Sequence, residues 1–241
     1  MDESYGAQYA DLYHRHWWWR AREEYLARLL TRHLGTTPSG EVLDFGCGDG
    51  LFFPVLQRFG SPRGIEPEAK LLDPAGPWRG RISTEPLAPV ASEAGRFRLI
   101  VALDVLEHIA EPGPVMTELA RRLAPGGLFV ATVPAFQSMW TTHDDLNHHV
   151  KRYRVEELES LVSATGLTIV ESRYLFVWLA FAKWGVAWLE RARRPGPRPP
   201  GVPAEPINAA VLALSRIEQR ILGGVKPPFG SSAIVVARRA S

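Results

Sequence analysis

The chain has 241 residues, 46% of them hydrophobic, enough to bury a normal core, so a single domain over residues 1–241 is expected. Twenty-eight basic against 26 acidic residues leave a formal charge of +2, too little for a whole-surface nucleic-acid footprint, and no nucleic-acid partner is expected. One cysteine, Cys47, excludes an internal disulfide framework and a cysteine zinc cluster, which suits a reducing compartment such as the cytoplasm.

The first stretch, "MDESYGAQYADLYHRH", is polar and lacks the apolar run of a secretion signal. It leads into "WWWRAREEYLARLLTRHL", read as one helix over Trp17–Leu34. With successive residues 100° apart, Trp18, Trp19, Tyr25, Leu26, Leu29 and Leu30 form an apolar stripe, and Trp17 falls outside it, toward cofactor or solvent. Arg22 projects into that stripe, where an unpaired charge is costly, so it needs an anion, from a ligand or from a protein carboxylate, unless its guanidinium snorkels to the surface.

Next comes the buried strand "EVLDF" and the turn "GCGDG". Glycine permits positive φ and close approach of backbone to a ligand, but the spacing is not the G-x-G-x-x-G of a dinucleotide fold, and no P-loop lysine follows. Asp44, at the end of the strand, would repel a pyrophosphate yet can accept a hydrogen bond from an ammonium group. "GIEPE" ends the second strand with Glu66, placed to accept from ribose hydroxyls, with Pro67 after it. Together they suit a ligand with a ribose and a cationic amino-acid end.

Farther on, short apolar runs ("RGIE", a weak strand around Arg81–Thr84, "RLIVALD", "GLFVATV", "LTIVESRY", "SAIVVARR") alternate with helices over Leu51–Phe59, Pro114–Leu123 and Val155–Thr165. Such alternation predicts an α/β, doubly wound sheet with helices on both faces.

The segment "PAFQSMWTTHDDLNHHVKRY", 134–153, follows the fifth strand and is long, polar and ionisable. Ligand crevices of open α/β sheets lie outside the carboxyl ends of the strands, which makes this loop the candidate acceptor site. His143, Asp144, His148 and His149 offer an imidazole with a pKa near neutrality and a carboxylate to fix its tautomer. The same groups could order the loop without chemistry. Asp144, Asp145, Asn147 and the histidines could also ligate a divalent ion, but their spacing fits no metal motif, and no metal centre is assigned.

From 175 to 225 the alternation is lost: two apolar helical patterns flank "RRPGPRPPGVPAEP", a proline-rich linker. Trp178, Trp184 and Trp188, with Lys183 inside and "ERARR" at the end, fit an interfacial helix resting on a membrane, a lid over a hydrophobic acceptor, a homodimer contact, or packing against the second helix.

The run Asp44–Gly50, Glu66, "LIVALDVLEHI" and "LAPGGLFVATVP" together resemble the class I S-adenosylmethionine (SAM)-dependent methyltransferases over about Glu41–Tyr174. The resemblance implies a Rossmann-like seven-stranded sheet whose last strand, Ser232–Arg238, is antiparallel, with SAM across the carboxyl ends of the strands and S-adenosylhomocysteine as product. By the same resemblance Gly46 and Gly48 line the methionine part, Glu66 binds the ribose, and Leu103, Asp104 and His108 flank the cofactor. A subset opens with a similar H-W-W-aromatic stretch and a later arginine, matching His16–Trp19 and Arg22. That implies an N-terminal helical lid, residues 1–35, with Arg22 on the SAM carboxylate. Cofactor contacts are thus expected from Trp17, Arg22, Asp44, Gly46, Cys47, Gly48, Glu66, Pro67, Leu103, Asp104 and His108. The subset's H-D, H and R-Y positions match His143, Asp144, His149, Arg152 and Tyr153, so His143, Asp144, His149 and Tyr153 are the catalytic candidates. The expected activity is methylation of a small or amphiphilic organic molecule, with oxygen preferred over carbon or nitrogen; a catalytically silent SAM-binding scaffold is the alternative.

Overall fold

A computed structural model of the chain describes residues 3–88, 91–193, 196 and 200–241. Seven strands, β1 (Glu41–Phe45), β2 (Ser61–Ile65), β3 (Ile82–Ser83), β4 (Phe97–Leu103), β5 (Leu123–Pro134), β6 (Thr168–Leu175) and β7 (Ser232–Arg238), form one sheet in the order β3-β2-β1-β4-β5-β7-β6. β7 runs antiparallel to both β5 and β6, and the pairs among β1–β5 are parallel. The expected sheet is therefore present, including its weak third strand and its reversed last strand.

Among the described residues eight α-helices accompany it: α1 (Glu3–Arg15), α2 (Trp17–Leu34), α3 (Phe53–Leu56), α4 (Pro112–Arg122), α5 (Thr142–Leu146), α6 (Val155–Ser163), α7 (Val177–Arg193) and α8 (Glu205–Ile221). The central strands are apolar on both faces, as a sheet covered on both sides requires. One core contains Phe97, Phe129 and Leu158, the other Leu26, Leu30, Phe53 and Val130. The expected helix Leu51–Phe59 shrinks to the four residues of α3, for only nine residues separate Gly50 from Gly60 and Pro54 fits only in a first turn.

α2 has the predicted bounds. It starts where the His16 side chain accepts a hydrogen bond from the Trp18 backbone N–H, a capping role consistent with an imidazole whose pKa burial lowers to about 4. It stops at Gly35, at φ 71°, a conformation glycine adopts without strain. Its buried arc is wider than the predicted stripe and includes Trp17 and Ala21, because α8 covers that edge. Asn208 of α8 accepts from the Trp17 N–H (2.9 Å) and donates to the Arg15 carbonyl (2.8 Å), Gln219 donates to the Ala21 carbonyl, and Arg216 pairs with Glu24. The expectation that Trp17 faces cofactor or solvent is thereby corrected: its ring packs 5.2 Å from that of Trp178, in the seam between lid and insertion.

The insertion also differs from a simple helical hairpin. α7 meets α8 near its own first turn, where Glu218 accepts from the Val177 and Trp178 N–H groups, and then crosses to the loop after β5. There Trp184 donates to Ser138 (2.9 Å), Arg191 to the Ser138 carbonyl, and Glu190 accepts from Thr142. Much of the predicted proline-rich linker, at 194–195 and 197–199, lies outside the described residues.

Candidate active site

The site is built where the strands end. Gly46 (φ 73°), Asp104 (φ 59°), Phe136 (φ 55°) and Phe176 (φ 58°) all hold left-handed backbone just past β1, β4, β5 and β6. Such conformations cost about 1–3 kcal/mol for residues other than glycine and cluster at functional sites. At Gly46 glycine is also required sterically, since a Cβ there would lie 2.4 Å from Val105 Cγ2.

Two carboxylates border the glycine turn. Glu66, just past β2, is 7% exposed and accepts from the backbone N–H groups of Gly48 and Glu68, both at 3.0 Å, which leaves each oxygen with accepting capacity to spare. Asp44 is 3% exposed. Burial, opposed by Arg22 and reinforced by Glu66, pushes its carboxyl up to about 8, so it has an unmet demand for a cation. Gly48 faces open space, with no atom within 4 Å of a Cβ built there. The Cys47 thiol turns the other way, against Gly64 of β2, and its hydrogen bond goes to the Gly48 carbonyl; the contact expected of Cys47 is left to its backbone. Pro67 lies exposed beyond Glu66, and Leu103 is half-buried at the end of β4.

Above this turn lie α1 and α2. Leu12, Tyr13 and Trp19 form a small core against Leu51, just beyond the glycine turn. Arg22 is 7% exposed and finds its anion within the protein, in the Asp104 carboxylate at 2.7 Å. It also donates to Thr132 Oγ1 (3.3 Å) and lies over the Trp18 ring. Its Nε–H, also buried, has no partner among the described residues.

The loop after β5 brings together part of the expected catalytic set. Asp144, on α5, is fully buried and accepts from Arg152 Nε (2.8 Å) and Nη2 (2.9 Å), from Thr141, and from His149 Nδ1 (2.8 Å). Its hydrogen bonds to His149 and Arg152 overcome burial and hold its carboxyl below the usual carboxylate range. An ionised Asp144 can only accept, so His149 donates to it through Nδ1, which leaves Nε2 as the other ring nitrogen. His143 sits one helical turn from Asn147, whose side chain approaches its Nε2 at 3.1 Å, and burial lowers its pKa to about 4. His148 is exposed. Tyr153 departs from the expected catalytic set: it is 2% exposed in the core, and its hydroxyl donates to the Leu106 carbonyl (3.1 Å), which ties the loop to the turn after β4. That turn, Leu106–His108, places the His108 ring 4.8 Å from that of His149.

A profile of the methyltransferase domain family matches residues 18–172, which is most of the chain and contains both the glycine turn and the acceptor loop. The chain belongs to the class I SAM-dependent methyltransferases. Among curated relatives, a ubiquinone biosynthesis O-methyltransferase of Rhizobium etli is 31% identical over 64% of this chain and 73% of that protein. One of Agrobacterium fabrum is 27% identical over 72% and 83%. Among solved structures, a Haloferax volcanii methyltransferase in complex with the Trm112 methyltransferase activator superposes with a TM-score of 0.62 at 15% identity, covering 99% of this chain and 95% of that one. Geranyl diphosphate C-methyltransferase from Streptomyces coelicolor, with Mg2+, geranyl diphosphate and S-adenosylhomocysteine, gives 0.59 at 17% identity, covering 90% and 79%.

The methyltransferase's own residues fit SAM. The open face of Gly48, the buried Asp44 carboxyl and the bare Nε–H of Arg22 are complementary to the amino-acid end of the cofactor, and the spare lone pairs of Glu66 to its ribose hydroxyls. Sequence reasoning passed over Glu107, which is fully buried with no partner on either carboxylate oxygen among the described residues. The only sequence signal is its place between Asp104 and His108. It also passed over Asn208, whose role depends on a partner 191 residues away.

Proposed function

We propose that this methyltransferase moves the SAM methyl group to an oxygen atom of a small or amphiphilic organic acceptor held between the 134–153 loop and α7. The observation that carries the reading is the His149–Asp144 pair, in which the carboxylate holds the ring by Nδ1 and leaves Nε2 to face an acceptor. Bound SAM supplies a methyl group on a positively charged sulfur. Asp44 accepts from its ammonium group, Glu66 from the ribose hydroxyls, and Arg22 Nε donates to its carboxylate. A neutral amine already carries a lone pair and a carbon nucleophile must draw on a π system, whereas a hydroxyl must lose a proton as the new bond forms, and His149 Nε2 is suited to assist that loss. The relatives named O-methyltransferases support the same choice of atom.

An apolar acceptor body has a matching wall. Phe136 stacks on Tyr174 (4.8 Å), and Trp184, Phe181 and Phe229 form an aromatic cluster beside it. On its outer side α7 exposes Trp188 (71%) and Val186, near Arg191, which supports peripheral contact of a cytoplasmic protein with a membrane; no described helix is long and apolar enough to cross one. Liposome flotation tests this, and a concentration-dependent dimer without flotation favours a subunit interface.

Methyl transfer is tested with SAM carrying a labelled methyl group, incubated with the enzyme and a host extract, and the labelled product identified by mass spectrometry. Label on oxygen is expected. Label on carbon or nitrogen overturns the choice of atom, and no label in any extract favours a SAM-binding scaffold.

A further inference from the structure

α7 turns one cation inward. At 100° per residue Ala180, Lys183, Ala187 and Glu190 share an arc of about 80°, and both alanines of that row are fully buried. The row faces the loop after β5: Glu190 accepts from the Thr142 N–H (2.7 Å), while Trp184 and Arg191, at the edge of the row, donate to Ser138. Lys183 is half-buried there and makes no hydrogen bond or ion pair with a described residue.

The carboxylates around Lys183 are already engaged. Asp144 is held by Arg152 and His149, Asp104 by Arg22, and Glu190 by the Thr142 N–H and hydroxyl. Burial, with the Arg152 charge added, lowers the Lys183 ammonium to about 8 against the pull of Asp144, Asp104 and Glu190. Of the charges that act on His143, that of Lys183 weighs most. The amine therefore stands between the turn after β4, which carries Asp104, and the loop that carries His143 and Asp144, and it lacks an anion of its own. An apolar wall adjoins it. Phe136 stacks on Tyr174, and the Trp184 ring lies 5.9 Å from that of Phe136 and 5.6 Å from that of Phe229.

We propose that Lys183 binds a carboxylate carried by the methyl acceptor, which is thus an organic acid whose apolar body lies along Phe136, Trp184 and Phe229. The inference rests on the acceptor lying between the 134–153 loop and α7, as read above, and not on which of its atoms is methylated. A single negative charge matches the ammonium one for one. A phosphate, with a charge of about two, would bring the excess within reach of Asp104, Asp144 and Glu190. A neutral acceptor of the same shape would leave the ammonium unpaired, so Lys183 selects as well as binds.

A lysine in this role sets a pH limit. The carboxylate needs the protonated amine, so affinity is full below the Lys183 value, about 8, and falls as pH rises through it. Asp104, Asp144, Arg152, Glu190 and His143 all act on the amine. His143 is held at about 4 and Asp144 below the usual carboxylate range, so neither changes charge in that window.

The test needs no methyl transfer. The full chain, loaded with S-adenosylhomocysteine, is titrated by calorimetry with an alkyl-substituted hydroxybenzoate, its methyl ester and the matching aryl phosphate. At neutral pH the acid should bind at least about tenfold tighter than the ester. Lys183→Met should erase that preference and leave the ester within about twofold of its native affinity, while Lys183→Arg should keep the preference; circular dichroism checks that both variants are folded. From about pH 7 to 9 the native enzyme should lose roughly tenfold in affinity for the acid, and Lys183→Arg should not. Equal binding of acid and ester, binding of neither, or a preference that survives Lys183→Met overturns the proposal, and tighter binding of the phosphate overturns the carboxylate. The labelling experiment separates the two readings. Label on carbon or nitrogen of an acidic product overturns the choice of oxygen and leaves Lys183 in its role, whereas an O-methylated product with no acidic group overturns the role of Lys183 alone.

Discussion

Arg22 shows how far a single residue can be read. Its position in an apolar stripe dictates an anion, and Asp104 supplies one. The sequence could not choose between that carboxylate and the cofactor's, since Asp104 reaches Arg22 only through the left-handed turn after β4. The bare Nε–H leaves room for both. Hydrogen bonds to charged groups are worth about 1.5–3 kcal/mol, so Arg22→Ala should raise the SAM dissociation constant by roughly 10- to 100-fold in calorimetry; an unchanged value removes the contact. Asp44 gives a pH dependence. Its folded pKa, about 8, lies above the unfolded value of about 3.9, so the protonated form is favoured by folding. Its contribution to stability is complete below the unfolded value and is lost as pH rises through the folded one. The ligand-free enzyme should therefore lose stability between about pH 4 and 8. Asp44→Asn should flatten that slope in urea titrations and weaken SAM binding.

Between elements, the informative contacts are those of α8 with α2. Asn208 satisfies backbone groups on both sides of the α1–α2 junction; its loss leaves a buried N–H unpaired, at about 1–3 kcal/mol. Asn208→Ala should raise hydrogen exchange across residues 9–34 while the sheet stays protected; uniform exchange over the whole chain would mean the lid is not separately held. At the glycine turn, Gly46→Ala should destabilise by about 1–3 kcal/mol, and adding Val105→Ala should recover part of that loss in denaturant titrations, because the clash is with the Val105 side chain. α2 was legible to the residue because its period, cap and terminating glycine agree. The partners of α7 and α8 were not. Both are amphipathic, and periodicity says which face is apolar without saying what covers it. Trp17 was misplaced for that reason, just as Tyr153 was taken from a motif whose burial the motif does not encode.

For the molecule as a whole, the layered α/β class was readable from the alternation of runs and the reversed last strand from the family resemblance, while the strand order came only with the structure; the physical weight of that order lies in β7. This strand pairs with both β5 and β6, so the sheet is incomplete until residues 232–238 are in place. A chain ending at Gly224 should keep much of its helical far-ultraviolet signal and lose its near-ultraviolet tryptophan signal and its cooperative unfolding. A truncated chain that still melts cooperatively would show that β6 can dock without β7. The clasp between Asn208 and Trp17 carries the same dependence into time. Its two ends are 191 residues apart in sequence, and a ribosome adding about 5–20 residues per second needs roughly 10–40 s to cover that distance. For that interval the first helices can settle on the sheet through Leu26 and Leu30, but the edge that carries Trp17 has no α8 to cover it, and its backbone N–H must wait for Asn208.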